Sequence, residues 1–192
     1  KYRVLKTEGN FNNEIGVPLT LLRIRRETEA AVVEMGISDF GEMHRLSKMV
    51  RPNICVITNI GQSHLKDLKS RDGILKAKSE IFDFLAPDGE ICLNGEDDKL
   101  ITLEEVKGHR PHFFGLGGNP AQEVIAEDIQ SRGLWGSDVL MRMPGCEEGF
   151  RVHIPLPGRH MVLNAAAAVC TAQRLGLTPQ QITAGLSKLS PV

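Results

Sequence analysis

Hydrophobic and polar positions follow two regimes along this chain. Up to Asn94, short apolar runs are separated by segments with helical spacing. Tyr2–Leu5 reads as a strand, and Pro18 through Leu22 and Ile24 as a helix with proline in its first turn. Glu29–Met35 (EAAVVEM) is mostly apolar, as a parallel strand covered on both faces would be. A helix over 41–50, a strand over 54–58, a helix with Ser70 or Asp72 as N-cap, and a strand over 90–94 follow. This alternation predicts an α/β fold built on a doubly wound, mostly parallel sheet.

The pattern then changes. HFFGL, EVIAEDIQ, LWGSDVLMRM and GFRVHIPL are short segments divided by Gly, Pro and Asp, without helical periodicity. They predict a small antiparallel sheet over 112–156, inserted in the main one or packed beside it. After Pro157-Gly158 comes an Ala-rich helix, 160–175, which Gly176 is placed to end. The last helix opens at Thr178-Pro179-Gln180-Gln181, with Thr178 as N-cap and Gln181 completing a capping box.

One residue breaks the pattern. Ile74, Ile81, Phe82 and Leu85 share a helical face, and Lys78 falls within that stripe, four after Ile74 and three before Ile81. A lysine there snorkels out from the edge, or it is paired, deprotonated or modified. A desolvated lysine has a nucleophilic neutral amine, and reaction with CO₂ would turn it into an anionic two-oxygen ligand.

Composition narrows the class without choosing a function. The 192 residues are 41% hydrophobic and 24% charged with net charge −1, which is ordinary globular material without a nucleic-acid or membrane signature. No apolar run has the length of a membrane span. Cys55, Cys92, Cys146 and Cys170 lack zinc-type spacing, and Cys55 and Cys92 lie inside apolar strands, so they read as reduced core residues of a cytoplasmic protein.

Four places could carry chemistry. Glu34 closes an apolar strand, where a carboxylate either holds Mg²⁺ beside a nucleotide or simply caps a loop. His64 lies just past the strand over 54–58, at the edge where open α/β sheets bind ligands. With a carbamylated Lys78, Glu34 and His64 could surround magnesium. The loop Gly9-Asn10-Phe11-Asn12-Asn13 is either a tight turn or a grip on a polar substrate. His160 and Asn164 share one face at the start of the Ala-rich helix, where an amide reads a base edge or caps the helix. There is no GxxxxGK[ST] loop and no GxGxxG fingerprint, and Gly115-Leu116-Gly117-Gly118 opens no helix, so it is not read as a phosphate loop.

Taken together, TEGNFNNEIGVPLTLL, VEMG, ITNIGQSHL, AKSEIF, LNGEDD and PGRHMVLNAAAAV occur in the order found in the Mur ligases, and the chain resembles that family over most of its length. The first two strings are most similar to the members that add D-Ala-D-Ala to UDP-N-acetylmuramoyl-tripeptide. The resemblance implies a central ATP-binding domain with a P-loop NTPase-like sheet, ATP and Mg²⁺ as cofactors, and those two substrates as partners. It implies Glu34 and His64 as magnesium ligands, Lys78 as the carbamylated lysine, Asn164 beside His160 as the adenine contact, and Asn10, Asn12 and Asn13 at the muramoyl-peptide site. It also implies a phosphate loop and a UDP-binding domain upstream of Lys1 and a further domain after Val192, so that residues 1–192 alone would not turn over and the full-length enzyme would be a cytoplasmic monomer. Two positions depart from the family. Lys66, followed by Asp67, stands where an acid is usual, and Met161 stands where an asparagine is usual. Another Mur ligase, a folylpolyglutamate synthase and a non-catalytic nucleotide-binding module are the alternatives.

Overall fold

The computed structural model describes residues 1–62 and 68–190. They divide into two compact units, Lys1–Cys55 with Ile60–Gly89 (unit 1) and Val56–Asn59 with Glu90–Val192 (unit 2).

In unit 1, β1 (Val4–Lys6) and β2 (Ala30–Val32) form a two-stranded parallel sheet with Leu5 opposite Ala31. β2 is shorter than the apolar run suggests. The Glu34 N–H goes to Thr7 Oγ1 (2.9 Å) and the Gly36 N–H to the Asn12 carbonyl (2.7 Å), so a side chain and a loop take over where the ladder would have continued. Val32 is exposed, which corrects the expectation of a strand covered on both faces. Helix α1 (Gly16–Leu21) begins two residues before Pro18, because Asn13 Oδ1 accepts the N–H groups of Ile15 and Gly16. Helix α2 (Glu42–Val50) lies where its periodicity placed it, with Met43 and Leu46 buried. Helix α3 (Arg71–Ser79) starts at Ser70, not Asp72: Ser70 Oγ accepts the Gly73 N–H at 3.0 Å. It tightens into a 3₁₀ segment, Glu80–Phe84, instead of continuing as one helix to Leu85. The Glu80 carboxylate takes the Gly41 and His44 N–H groups at the start of α2, and Ser47 donates to the Ile81 carbonyl at 2.7 Å, which ties α2 to that segment. The turn rotates Ile81 and Phe82 into the core beside Ile74 and Ala77 and leaves Lys78 half-buried at the stripe's edge.

β3 (Ile54–Ile57), β4 (Glu90–Asn94), β5 (His112–Gly115), β6 (Gln122–Ser131), β7 (Ser137–Met143) and β8 (Cys146–Ile154) form one sheet in that order. The α/β class is as the sequence predicts, but the start of the antiparallel part is not. β5 is parallel to both β4 and β6, and only β6, β7 and β8 pair antiparallel. Parallel neighbours usually need a crossover of a dozen residues or more. Here the register pairs Phe113 with Gln122, so six residues, 116–121, return the chain over a short distance.

The alternating residues Val139, Met141, Val152 and Ile154 point inward, with Phe114 and Val124 beside them, all buried. Helix α4 (Arg159–Arg174) lays Val162, Ala165, Ala166 and Val169 across β4–β7, and α5 (Pro179–Leu186) packs Ile182 and Leu186 against β8. The capping box of α5 forms as predicted: Thr178 and Gln181 exchange hydrogen bonds of 3.0 and 3.4 Å. Cys55, Cys92 and Cys170 are buried thiols not joined in disulfides; a hydrogen bond to Cys92, then burial, pushes the Cys170 thiol far above its ordinary range, which keeps it inert. Among the described residues no helix is long and apolar enough to cross a membrane.

Candidate functional site

Two polar corners can be built from the residues upward, one in each unit. In unit 1 the loop after β1 turns at Gly9, whose φ of +53° is left-handed, and folds back so that Asn12 N–H meets the Asn10 carbonyl at 2.7 Å. Asn12 then does two things: its carbonyl accepts the Gly36 N–H (2.7 Å), and its Nδ2 donates to Glu34 Oε1 (2.7 Å). Gly36 leaves the room this requires, since a Cβ there would lie 3.0 Å from the Asn12 amide.

Glu34 is thereby held from two directions, its backbone by Thr7 and its carboxylate by Asn12. No described residue donates to Oε2, and the side chain is exposed. An oriented carboxylate with one open oxygen suits a hydrated Mg²⁺, which takes one or two carboxylates and fills its other positions with water and phosphate oxygens. The asparagine trio divides. Asn12 positions Glu34, Asn13 is engaged in capping α1, and Asn10 stays exposed. Thr7 and Gly36 were missed from sequence, because only the folded loop shows that their backbone and hydroxyl groups fix Glu34.

Lys78 is half-buried on α3 in the same unit. His64, Lys66 and Asp67 lie outside the described residues. Among the described residues no three His, Cys, Asp or Glu side chains gather as a metal cage; Asn12, expected at the substrate site, is hydrogen-bonded to Glu34, expected at the metal site.

The loop's fit to α1 is tight. A Cβ on Gly16 would sit 2.4 Å from the Phe11 backbone, closer than real contacts allow. Gly16→Ala is expected to displace the Asn10–Asn13 loop and cost about 1–3 kcal/mol of stability, read as a lowered midpoint in urea unfolding. An unchanged midpoint would mean that α1 and the loop can separate freely.

In unit 2 a second corner lies at the C-terminal ends of β4 and β5. Glu96 Oε1 accepts from Leu116 N–H (2.9 Å) and Gln122 Nε2 (2.7 Å), while Gln122 Oε1 accepts from Gly117 N–H (2.8 Å). Gly118 N–H also bonds Glu96. These donors are satisfied within the protein, so the Gly-rich turn does not cradle a phosphate; it makes the short β5–β6 return. Side chains on Gly115 or Gly95 would collide with Gln122, with Cβ atoms 2.1 and 2.8 Å from it. Partial burial opposes ionisation of Glu96, but its bonds to Leu116, Gln122 and Gly118, with Arg159 nearby, outweigh that and hold its carboxyl below the ordinary 4.5. A depressed carboxyl stabilises the fold above its unfolded value and loses that contribution as pH falls through the folded one. Stability is therefore expected to decline below about pH 4.5, and Glu96→Gln should flatten that decline in chemical denaturation at pH 7 and pH 3. A parallel decline in both proteins would remove Glu96 from the account.

His160 and Asn164 are both exposed on the first turns of α4. The N-cap is Gly158 (φ +105°), where a Cβ would lie 2.6 Å from His160 Cε1. No side chain caps this helix, and Asn164 Nδ2 has only the Met161 sulfur at 4.0 Å. Of the two sequence readings, side-chain capping is excluded, and the Asn164 side chain is exposed.

Comparison with known proteins follows the same lines. A family profile described as Mur ligase middle domain matches residues 1–172. The UDP-N-acetylmuramoyl-tripeptide–D-alanyl-D-alanine ligase of Bacillus subtilis (strain 168) is 40% identical over 189 residues, covering 98% of this chain and 39% of the relative. A crystal structure of MurF from Acinetobacter baumannii superposes with a TM-score of 0.91 at 36% identity, covering all of this chain and 41% of that one. MurF ligase from Thermotoga maritima, solved in complex with ADP, gives a TM-score of 0.84 at 26% identity, covering all of this chain and 43% of that one. The chain thus spans about two-fifths of the length of the relatives it matches.

Proposed function

This chain belongs to the Mur ligase family as its middle domain, and from that premise we propose that it is the ATP-handling core of an enzyme that joins D-Ala-D-Ala to UDP-N-acetylmuramoyl-tripeptide. The observation that carries the reading within the molecule is the Asn12–Glu34 bond at 2.7 Å, which leaves one carboxylate oxygen oriented and open at the end of a parallel strand.

In this reading ATP phosphorylates the tripeptide's terminal carboxylate, giving an acyl phosphate and ADP. The amine of D-Ala-D-Ala attacks the acyl carbon, a tetrahedral intermediate forms, and inorganic phosphate leaves as the amide bond closes. Magnesium, when bound, neutralises charge on the transferred phosphoryl group. Glu34, with His64 and Lys78 as the other family ligands, would hold it. Asn12 keeps the Glu34 carboxylate in one orientation, so less reorganisation is needed at the moment of transfer. In unit 2, Asn164 offers an amide able to bond an adenine edge, beside His160, with Met161 replacing one polar contact by a thioether.

The similarity is graded in a way that favours this substrate pair. Relatives at 34–40% identity bear the D-alanyl-D-alanine ligase name, whereas folylpolyglutamate synthase from Thermotoga maritima shares the fold at 15% identity with a TM-score of 0.65. The test is the product. The full-length protein is given ATP, Mg²⁺, UDP-N-acetylmuramoyl-tripeptide and one amine at a time, and the product mass is read. A mass gain matching D-Ala-D-Ala is expected; a product formed only with glutamate or a single amino acid would assign a sibling activity.

A further inference from the structure

Unit 2 carries a third polar concavity, on the solvent face of its antiparallel half. Because Val139, Met141, Val152 and Ile154 point into the core, their neighbours Asp138, Arg151 and His153 point away from it. The register sets Asp138 opposite both His153 and Gln130. The β6–β7 ladder slips between Glu127 and Gln130, where Asp128 takes a φ of +46°, an irregularity of the kind that bends a strand. The same face holds a cavity of about 440 Å³ lined by Gln130, Arg132, Asp138, Arg151, Val152 and His153.

The lining is rich in donors that the protein does not use. Asp138 orients two of them, accepting from Arg132 Nε at 2.7 Å and lying 2.8 Å from His153 Nδ1. Arg151 Nη2 pairs with Asp128, which also receives Gln130 Nε2 at 3.4 Å. Both Nη groups of Arg132, the Nε and Nη1 of Arg151, and His153 Nε2 have no partner among the described residues. Each guanidinium is paired with one carboxylate, Arg132 with Asp138 and Arg151 with Asp128, and each keeps further N–H groups of the forked geometry that matches tetrahedral oxyanions.

We infer that this cavity is a binding site for a small phosphoryl oxyanion, either free phosphate or a phosphate ester. It is separate from the ligase chemistry and does not rest on it. Trp135, the chain's single tryptophan, is 80% exposed three residues after Arg132, whose N–H closes the turn on the Gly136 carbonyl at 2.8 Å. The Trp135 backbone N–H bonds the Arg132 carbonyl at 3.2 Å, so its indole serves as a probe of that turn.

The test is a titration of the ¹⁵N-labelled 192-residue chain with inorganic phosphate, and separately with glycerol phosphate, at ionic strength held constant with chloride. Saturable shifts in the amides of 130–132 and 151–153 and in the Trp135 indole are expected, weakened at least tenfold in Arg132→Gln and Arg151→Gln and partly retained in Arg151→Lys. Tighter binding of glycerol phosphate would assign an ester as ligand, and equal binding would assign free phosphate. The inference is overturned if the shifts do not saturate, if they map to Arg159–Asn164 instead, or if Arg151→Gln binds as the parent does while its circular dichroism shows it folded.

Discussion

Glu34→Gln, made in the full-length protein, is expected to lower the kcat of the proposed ligation by about 100-fold or more, equivalent to about 2.7 kcal/mol of transition-state stabilisation. The substitution keeps the size of the side chain and an oxygen for Asn12 to bond, but it removes the negative charge through which, in the proposed reading, Oε2 would hold Mg²⁺. Glu34 makes no buried ion pair and is exposed, so the melting temperature should hardly move. Asn12→Ala separates positioning from ligation. It leaves the carboxylate and its charge but removes the donor at 2.7 Å, so it should raise the Mg²⁺ concentration needed for half-maximal rate about tenfold, while saturating Mg²⁺ recovers most of kcat. If Glu34→Gln retained most of the parent's activity, the metal would have to be held elsewhere. A loss in Asn12→Ala that excess Mg²⁺ could not restore would make Asn12 a substrate contact and not a positioning residue.

Phe114→Ala is expected to destabilise unit 2 by about 3–5 kcal/mol, a large part of a typical domain's total. Phe114 has no exposed surface, sits on β5 with strands on both sides, and lies under α4. Its loss opens a cavity that neither the sheet nor the Ala-rich helix can fill, because Ala165 and Ala166 already place backbone close to the strands. Urea unfolding should show a lower midpoint with little change in slope. A loss below about 1 kcal/mol would mean that α4 collapses onto the gap and that the packing described for this sheet is too loose to position Asn164.

How much of this was legible from sequence varied with the range of the interactions that decide it. The helix over 42–50, the strand over 90–94 and the Thr178 capping box depend on local periodicity and cap chemistry, and they fold where the residues place them. β5 falls among short segments divided by Gly, Pro and Asp without helical periodicity, a pattern that reads as antiparallel. The parallel return depends on Gln122 and Glu96 holding the Gly115–Gly118 turn, with Glu96 about twenty residues away in sequence. β2 was read too long for the same reason: hydrophobicity continues to Met35, but Thr7 and Asn12 take the backbone donors of Glu34 and Gly36. In the candidate site, Glu34 stood out as an acid closing an apolar run. That Asn12 would point to it, and Asn13 to α1, depends on a loop conformation that residue types alone leave open. Lys78 was singled out by an ideal helical stripe, and the 3₁₀ turn after Ser79 moves that stripe so that the lysine lies at its edge.

The central claim is that this chain is the core of an ATP-driven carboxylate–amine ligase. The most direct measurement is inorganic phosphate release by the full-length protein, with ATP, Mg²⁺, UDP-N-acetylmuramoyl-tripeptide and D-Ala-D-Ala present, and with each omitted in turn. The account predicts sustained release only when all four are present, its loss in Glu34→Gln, and partial recovery of a Lys78→Ala variant by added short-chain carboxylates. Release from ATP that ignores both the tripeptide and the dipeptide, or no release from a folded protein under any combination, would contradict it.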